Sequence, residues 1–108
     1  MNALDQLMQA FGNAGGDRAI LDDGETAHLV AEGHKILSAR EIEGVEVEAQ
    51  ETPTGISAKV RVRQDVRVKN PVHLCFGVLH KRGTQDIKMD VKLEKNAAVS
   101  FIAHCIFP

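Results

Sequence analysis

The stretch GVEVEAQETPTGISAKVRVR, residues 44–63, determines the fold class of this 108-residue chain. Apolar and polar residues alternate strictly on both sides of the segment ETPTG, which is typical of two β-strands that each bury one face. Pro53 and Gly55 predict a hairpin loop between the strands. The outer face of the first strand is acidic and that of the second is basic, so each cross-strand pair should contribute a few tenths of a kcal/mol.

The chain after this hairpin continues as strands separated by turns. VHLCFGVLH, residues 72–80, is apolar on both alternating faces, so this strand requires cover on both sides. DIKMDVKLE, residues 86–94, returns to alternation with Ile87, Met89, Val91 and Leu93 inward. AAVSFIAHCIF, residues 97–107, again has two largely apolar faces. The spacing of the turns predicts an all-β body, and the last strand favours an architecture in which further sheet packs on it.

The chain before the hairpin opens with a short amphipathic helix over residues 3–11. Its apolar stripe consists of Leu4, Leu7, Met8 and Phe11, with Asn2 as the N-cap. A helix this short must dock, either on the domain's own core or on a partner. AHLVAEGHKIL, residues 27–37, predicts two strands around Gly33, with a helix ending at Gly33 as the alternative. We therefore divide the chain into a helix with a Gly-rich linker (1–16) and a β domain (17–108).

Composition excludes two classes of partner. The net charge is −2, and the chain has no Trp or Tyr, so neither phosphate attraction nor base stacking favours nucleic acid. No apolar run approaches the roughly 18–20 residues that cross a bilayer, which argues against a membrane protein. Two cysteines without an export signal predict reduced thiols and a cytoplasmic location.

Two longer segments resemble a known family. EIEGVEVEAQETPTGISAKVRV (41–62) and PVHLCFGVLHKRGTQDIKMDVKLEKNAAVSFIAHCIFP (71–108) are similar to the early part of SufB/SufD-related iron–sulfur cluster assembly proteins. The resemblance implies a right-handed parallel β-helix, of which this chain would form the start, and a scaffold that works with an ATPase subunit. The Cys and His residues that the family uses in cluster building lie beyond the equivalent of Pro108, so none is carried over.

The expected fold is therefore mainly β with a short N-terminal helix, forming the start of a right-handed parallel β-helix. A β-sandwich is the alternative, because the period-2 pattern fits a sandwich, an open barrel and a β-helix equally.

Four residues are candidates for a metal or cluster site: His73, Cys75, His104 and Cys105. Thiolate and imidazole are the ligands that zinc and iron–sulfur clusters use. His73 and Cys75 share a strand face, whereas the adjacent His104 and Cys105 point to opposite faces. Packing of both thiols in the core is the competing interpretation, because free cysteine is commonly buried. His28, His34 and His80 lie near predicted turns and are expected at the surface.

The leading hypothesis is a non-enzymatic scaffold in iron–sulfur cluster biogenesis that acts through protein–protein contacts along an open β edge. Its partners would be further copies of itself or other SUF-type assembly subunits. One alternative is a metal or cluster carrier that uses Cys75 and Cys105. A weaker alternative is a small β-barrel metalloenzyme of the cupin type, although the chain lacks the close pair of histidines that such a site needs.

Overall fold

The structure is a computed structural model that describes residues 2–13, 18–79 and 83–106. The elements in chain order are helix α1 (Ala3–Asn13), a 3-10 helix (Arg18–Leu21), and strands β1 (His28–Glu32), β2 (Lys35–Arg40), β3 (Val45–Glu51), β4 (Gly55–Val62), β5 (Val72–Gly77), β6 (Asp86–Leu93) and β7 (Phe101–Ile106). The predicted cap is present, because the side-chain oxygen of Asn2 accepts a 2.8 Å hydrogen bond from the backbone N–H of Asp5. The predicted linker lies mostly outside the described residues.

The strands form two sheets. Sheet A has the strand order β2-β1-β5-β7, and sheet B has the order β3-β4-β6. Each sheet begins with an antiparallel hairpin, β1–β2 or β3–β4, and is then extended by parallel strands. The strands predicted on either side of Gly33 are confirmed, and Gly33 takes the left-handed conformation (φ 58°) that their tight turn requires.

The hairpin of residues 44–63 is confirmed in detail. Glu46 lies opposite Arg61 and Glu48 opposite Lys59, as the alternating charges predicted. Arg63 binds Glu46 within the hairpin, whereas Arg61 binds Glu94, which follows β6 and lies outside the hairpin. The wetted face of sheet B is therefore covered with charges of both signs.

Successive strands from β4 onward alternate between the two sheets, and each returning strand lies parallel to its predecessor. Val60 of β4 pairs with Val91 of β6. The turns that leave sheet B also stack: Asp65 and Asn96 both adopt positive φ (64° and 62°), and Asn96 Nδ2 donates a 3.0 Å hydrogen bond to Asp65 Oδ1. The segment formed by β6 and its following turn therefore lies beside the segment formed by β4 and its turn, and the two run in the same direction.

Two hydrophobic clusters hold these layers together. The inter-sheet core contains Ala27, Leu29, Ala31, Val45, Val47, Ile56, Ala58, Val60, Val62, Val72, Leu74 and Phe76. The helix-side core contains Leu7, Met8, Phe11, Val30, Cys75 and Ile106. Strand β5 contributes to both clusters, so the cover predicted on both of its faces is supplied by sheet B and by α1. The apolar stripe of α1 is buried in the protein's own core.

The protein is thus mainly β with one short N-terminal helix, as predicted. Both sheets are mixed, and neither closes into a barrel within the described ranges. The right-handed parallel β-helix stays a prediction, and a closed barrel of the cupin type is not what these residues form.

Candidate functional site

The four predicted ligand residues lie on the neighbouring strands β5 and β7. Their register places Cys75 opposite His104 and Cys105 opposite Phe76. His73, Cys75 and His104 therefore share the face of sheet A that is turned toward α1, while Cys105 lies on the face that is turned toward sheet B. The structure brings three of the four residues together and separates the two thiols. Both cysteines are free.

Cys75 is a poor ligand where it lies. Its side chain is only 2% exposed and packs in the helix-side core. Burial, with a smaller contribution from Cys105, raises the pKa of the Cys75 thiol to about 11. Because metals bind the thiolate, burial that disfavours the thiolate also disfavours the binding of iron or zinc by Cys75. Cys75 therefore behaves as a small apolar residue of the core.

A row of histidines crosses the helix-side face of sheet A. His28 on β1 pairs with His73 on β5. The ring of His73 stacks against that of His104, with centroids 6.5 Å apart, and His104 meets the ring of Phe11 edge-on at 4.6 Å. The surface position predicted for His28 is wrong: it is 1% exposed, because β1 is an inner strand of sheet A and this face is covered. His34 is exposed as predicted, and His80 lies outside the described residues.

Two histidines of this row, His28 and His73, favour the neutral state. Desolvation lowers the pKa of His28, with further lowering by Arg40 and His73, and desolvation and His104 lower the pKa of His73. His28 Nε2 lies 2.7 Å from Ser38 Oγ. Within the described part of the chain, the Nδ1 atoms of His28 and His73 and one terminal nitrogen of Arg40 are buried without a hydrogen-bond partner.

No metal centre is assembled by these groups. Among residues 2–13, 18–79 and 83–106, no three His, Cys, Asp or Glu side chains converge as a metal site requires. A cluster needs several thiolates or imidazoles directed at one point. Here Cys75 is buried and Cys105 lies on the opposite face of sheet A, so the two thiols are not directed at one point.

The second candidate feature is the end of the molecule formed by β6 and β7. Each is the outermost strand of its sheet within the described ranges. The inward row of β6 continues the buried row of β4, yet its side chains remain open: Ile87 is 38%, Val91 44% and Leu93 49% exposed. Ile102 on β7 is 39% exposed. We call this end, residues 86–93 and 101–106, the open edge. Sequence reasoning anticipated unused apolar surface on the last strand, and the structure adds β6 to it.

Comparison with known proteins points to one family. The chain is 30% identical over 102 residues to the iron-sulfur cluster assembly SufBD family protein of Pyrococcus horikoshii, a match that covers 94% of this chain. It is 29% identical over 85 residues to the SufBD family protein of Methanocaldococcus jannaschii, which covers 79% of this chain. The matches span only 31% and 27% of the relatives' own lengths. The resemblance to SufB/SufD-related proteins is confirmed.

Two further comparisons were negative. No protein-family model matches the chain. No solved structure matches it. Within the described residues, no helix is long and apolar enough to span a bilayer.

Proposed function

We propose that this relative of the SufBD family is a non-enzymatic scaffold component of iron–sulfur cluster assembly, acting in the cytoplasm. It works by binding other proteins through the open edge. The relatives' names support the assembly role. The position of β6 and β7 as outermost strands with exposed apolar side chains supports binding to other proteins.

The observation that carries this proposal is the pair of outer strands at one end. A strand edge presents unpaired N–H and C=O groups that readily accept another strand, and natural proteins usually blunt or cover such edges. Here the edge of β6 is joined to an apolar row that is roughly half exposed, with Leu93 at 49%. A strand added beside β6 would pair with its free backbone groups and would also cover the exposed apolar row.

The same end suggests what kind of layer is added. The parallel pairs β4–β6 and β5–β7 and the stacked residues Asp65 and Asn96 support a further coil of the same geometry. We propose that these residues form the start of a parallel β-helix, and that another copy or another SUF-type assembly subunit packs on the open edge as a further layer.

A carrier that holds a metal or cluster on Cys75 and Cys105 is the competing function. The geometry favours it less, because Cys75 is buried and the two thiols point to opposite faces of sheet A. The two functions make opposite predictions for variants that lack both thiols.

The proposal is tested by deleting the gene in its host and restoring it with variants. Deletion should lower the activity of iron–sulfur enzymes without lowering the amount of their polypeptides. Val91→Lys should fail to restore activity, because a charge in the inward row of β6 prevents an added layer from packing. Ala39→Lys, on the edge strand β2 at the other end of sheet A, is the matched control and should restore activity.

A chain carrying both Cys75→Ala and Cys105→Ala separates the two functions. The scaffold should still restore activity without its thiols, whereas a carrier should not. Full restoration by folded Val91→Lys, or unchanged iron–sulfur enzymes after deletion, would contradict the scaffold at the open edge.

A further inference from the structure

Three nitrogen atoms on the helix-side face of sheet A lack a partner. Arg40 on β2, His28 on β1 and His73 on β5 are in register across neighbouring strands. Desolvation, Arg40 and His73 together lower the pKa of His28, so the three groups are close in space. His28 Nδ1, His73 Nδ1 and one terminal nitrogen of Arg40 are buried without a hydrogen-bond partner within the described residues. Buried polar atoms are nearly always paired, so three such nitrogens on adjacent strands indicate a missing partner.

We propose that these three side chains form a binding site for an oxyanion of the phosphate class, to which each of the three nitrogens donates a hydrogen bond. The guanidinium of Arg40 can only donate, and a neutral imidazole donates from Nδ1 when Nε2 carries no proton. The 2.7 Å contact between Ser38 Oγ and His28 Nε2 fits this tautomer, because the hydroxyl can donate to Nε2. Three donors match three oxygens of a tetrahedral anion, whereas a carboxylate offers two.

Arg40 supplies the charge that selects an anion. Neither ion pair of the described residues includes Arg40. The N–H of Glu25, the hydroxyl of Thr26 and, to a smaller extent, Arg40 lower the pKa of Asp23, so this carboxylate lies within electrostatic reach. Its oxygens, however, accept hydrogen bonds from Glu25 and Thr26. A guanidinium without a carboxylate partner is well suited to phosphate, because its planar fork of donors matches the oxygens of that anion.

A water molecule and a metal ion are the competing occupants. Water accepts only two hydrogen bonds, so one of three donors would stay unpaired, and its own two hydrogens would need acceptors. A cation beside Arg40 would be repelled by the guanidinium. The described residues also contain no group of three His, Cys, Asp or Glu side chains that could hold a metal. An oxyanion satisfies the three donors and the charge together.

The site has a closed floor and a partly open rim. His28, at the floor, is 1% exposed, whereas Arg40 and His73 are half-buried. The ring of His104 stacks against that of His73 with centroids 6.5 Å apart, which restricts the orientation of the His73 ring. A small anion can therefore approach from solvent at the rim and contact an imidazole that is already oriented.

The first test adds inorganic phosphate to the 108-residue chain at about pH 8, where histidine is neutral, with sodium chloride at equal ionic strength as the reference. The melting temperature should rise with phosphate, because a ligand that binds the folded state stabilises it. Arg40→Gln should weaken the affinity fitted from this rise about tenfold or more, because a charge-assisted hydrogen bond is lost. Arg67→Gln, the same change at an exposed arginine, should leave the affinity unchanged. Phosphate also stabilises proteins by exclusion from their surface, an effect that both variants share.

Nitrogen-15 NMR of the histidine side chains tests the atoms directly in the wild type. Phosphate, but not chloride, should shift the Nδ1 signals of His28 and His73. The signals of His34, which is exposed, should stay in place. This measurement is independent of whether Arg40→Gln folds.

Phenyl phosphate distinguishes a free anion from the phosphate group of a larger molecule. If it binds as tightly as inorganic phosphate, the rim admits the phosphate group of a larger ligand. If only inorganic phosphate binds, the ligand is the free anion. Both outcomes support the site and identify the source of its phosphate.

His28 and His73 signals that phosphate leaves unmoved would overturn the site. So would a stabilisation that Arg40→Gln and Arg67→Gln retain equally, because it would come from exclusion or from binding elsewhere on the surface. The scaffold proposal would survive either result, because it depends on the restoration experiment with Val91→Lys.

Discussion

His28 lies in the middle of sheet A with its ring on the covered, helix-side face. It shares this face with Arg40, His73 and His104, and it pairs in register with Arg40 on one side and His73 on the other. A protonated His28 would be held in poor solvation beside a guanidinium group. The pKa of His28 is therefore lowered in the folded protein, which accepts a proton there less readily than the unfolded chain does.

This difference predicts a loss of stability in mild acid. At about one pH unit or more above 6.5, His28 is neutral in both states and contributes almost no pH dependence. As the pH falls through about 6.5, the unfolded chain binds a proton at His28 more readily than the folded protein does. The free energy of unfolding therefore decreases. His28→Gln should show a flatter dependence between about pH 7 and pH 5.5 in urea denaturation.

Parallel pH profiles for the wild type and His28→Gln would contradict this account. The matched change His34→Gln, at an exposed histidine, should leave the profile unchanged.

The burial of His28 also marks where sequence reasoning fails at this scale. Nothing local distinguishes His28 from His34, because each lies near a turn. What buries His28 is the position of β1 between β2 and β5, and β5 is far away in the chain. The relative facing of Cys75 and Cys105 likewise follows from the β5–β7 register, which no local pattern contains.

Among the secondary-structure elements, helix α1 forms a layer that covers one face of sheet A. It covers β1, β5 and β7 through Val30, Cys75 and Ile106. Gly77 makes this close approach feasible, because a Cβ at that position would overlap the side chain of Leu7. The helix-side core therefore depends on two features: the large side chain of Leu7 on α1, and the lack of a side chain at Gly77 on β5, which leaves room for it.

Leu7→Ala tests the contribution of this layer. Leu7 is fully buried, so truncation should reduce the free energy of unfolding by about 2–5 kcal/mol, through lost burial and the cavity left behind. Gln9→Ala, on the exposed side of α1, should change it by less than about 0.5 kcal/mol. Urea denaturation followed by circular dichroism measures both values. Equal effects of the two changes would show that α1 is not docked as described.

The elements themselves were largely predictable. The stripe of α1, the β3–β4 hairpin and the two-sided burial of β5 all follow from periods of about 3.6 and 2 within short segments. The pairing of β4 with β6 and of β5 with β7 does not, because a period-2 strand fits beside any other. The stacked positive-φ residues Asp65 and Asn96 were also missed, although both lie in recognisable turns.

At the scale of the whole molecule, binding at the open edge couples stability to the concentration of the protein that binds there. Association that requires the folded state stabilises it by mass action. If another copy binds at the open edge, the melting temperature of the wild type should rise as the protein concentration is raised across the micromolar range, and that of Val91→Lys should not. Calorimetry at several concentrations measures both. A concentration-independent melting temperature of the wild type would contradict binding of another copy.

The parallel pairing of β1 with β5 also has a kinetic consequence. The β3–β4 hairpin joins neighbours in the chain, whereas β1 must wait for β5, whose residues His73 and Leu74 pair with His28 and Leu29. Contacts between distant parts of a chain slow folding, because a long loop must close before they form. On the ribosome, the first sheet A hairpin would emerge well before its parallel neighbour. Until then, the apolar side chains of β1 and α1 would be exposed and could bind chaperones or other transient partners.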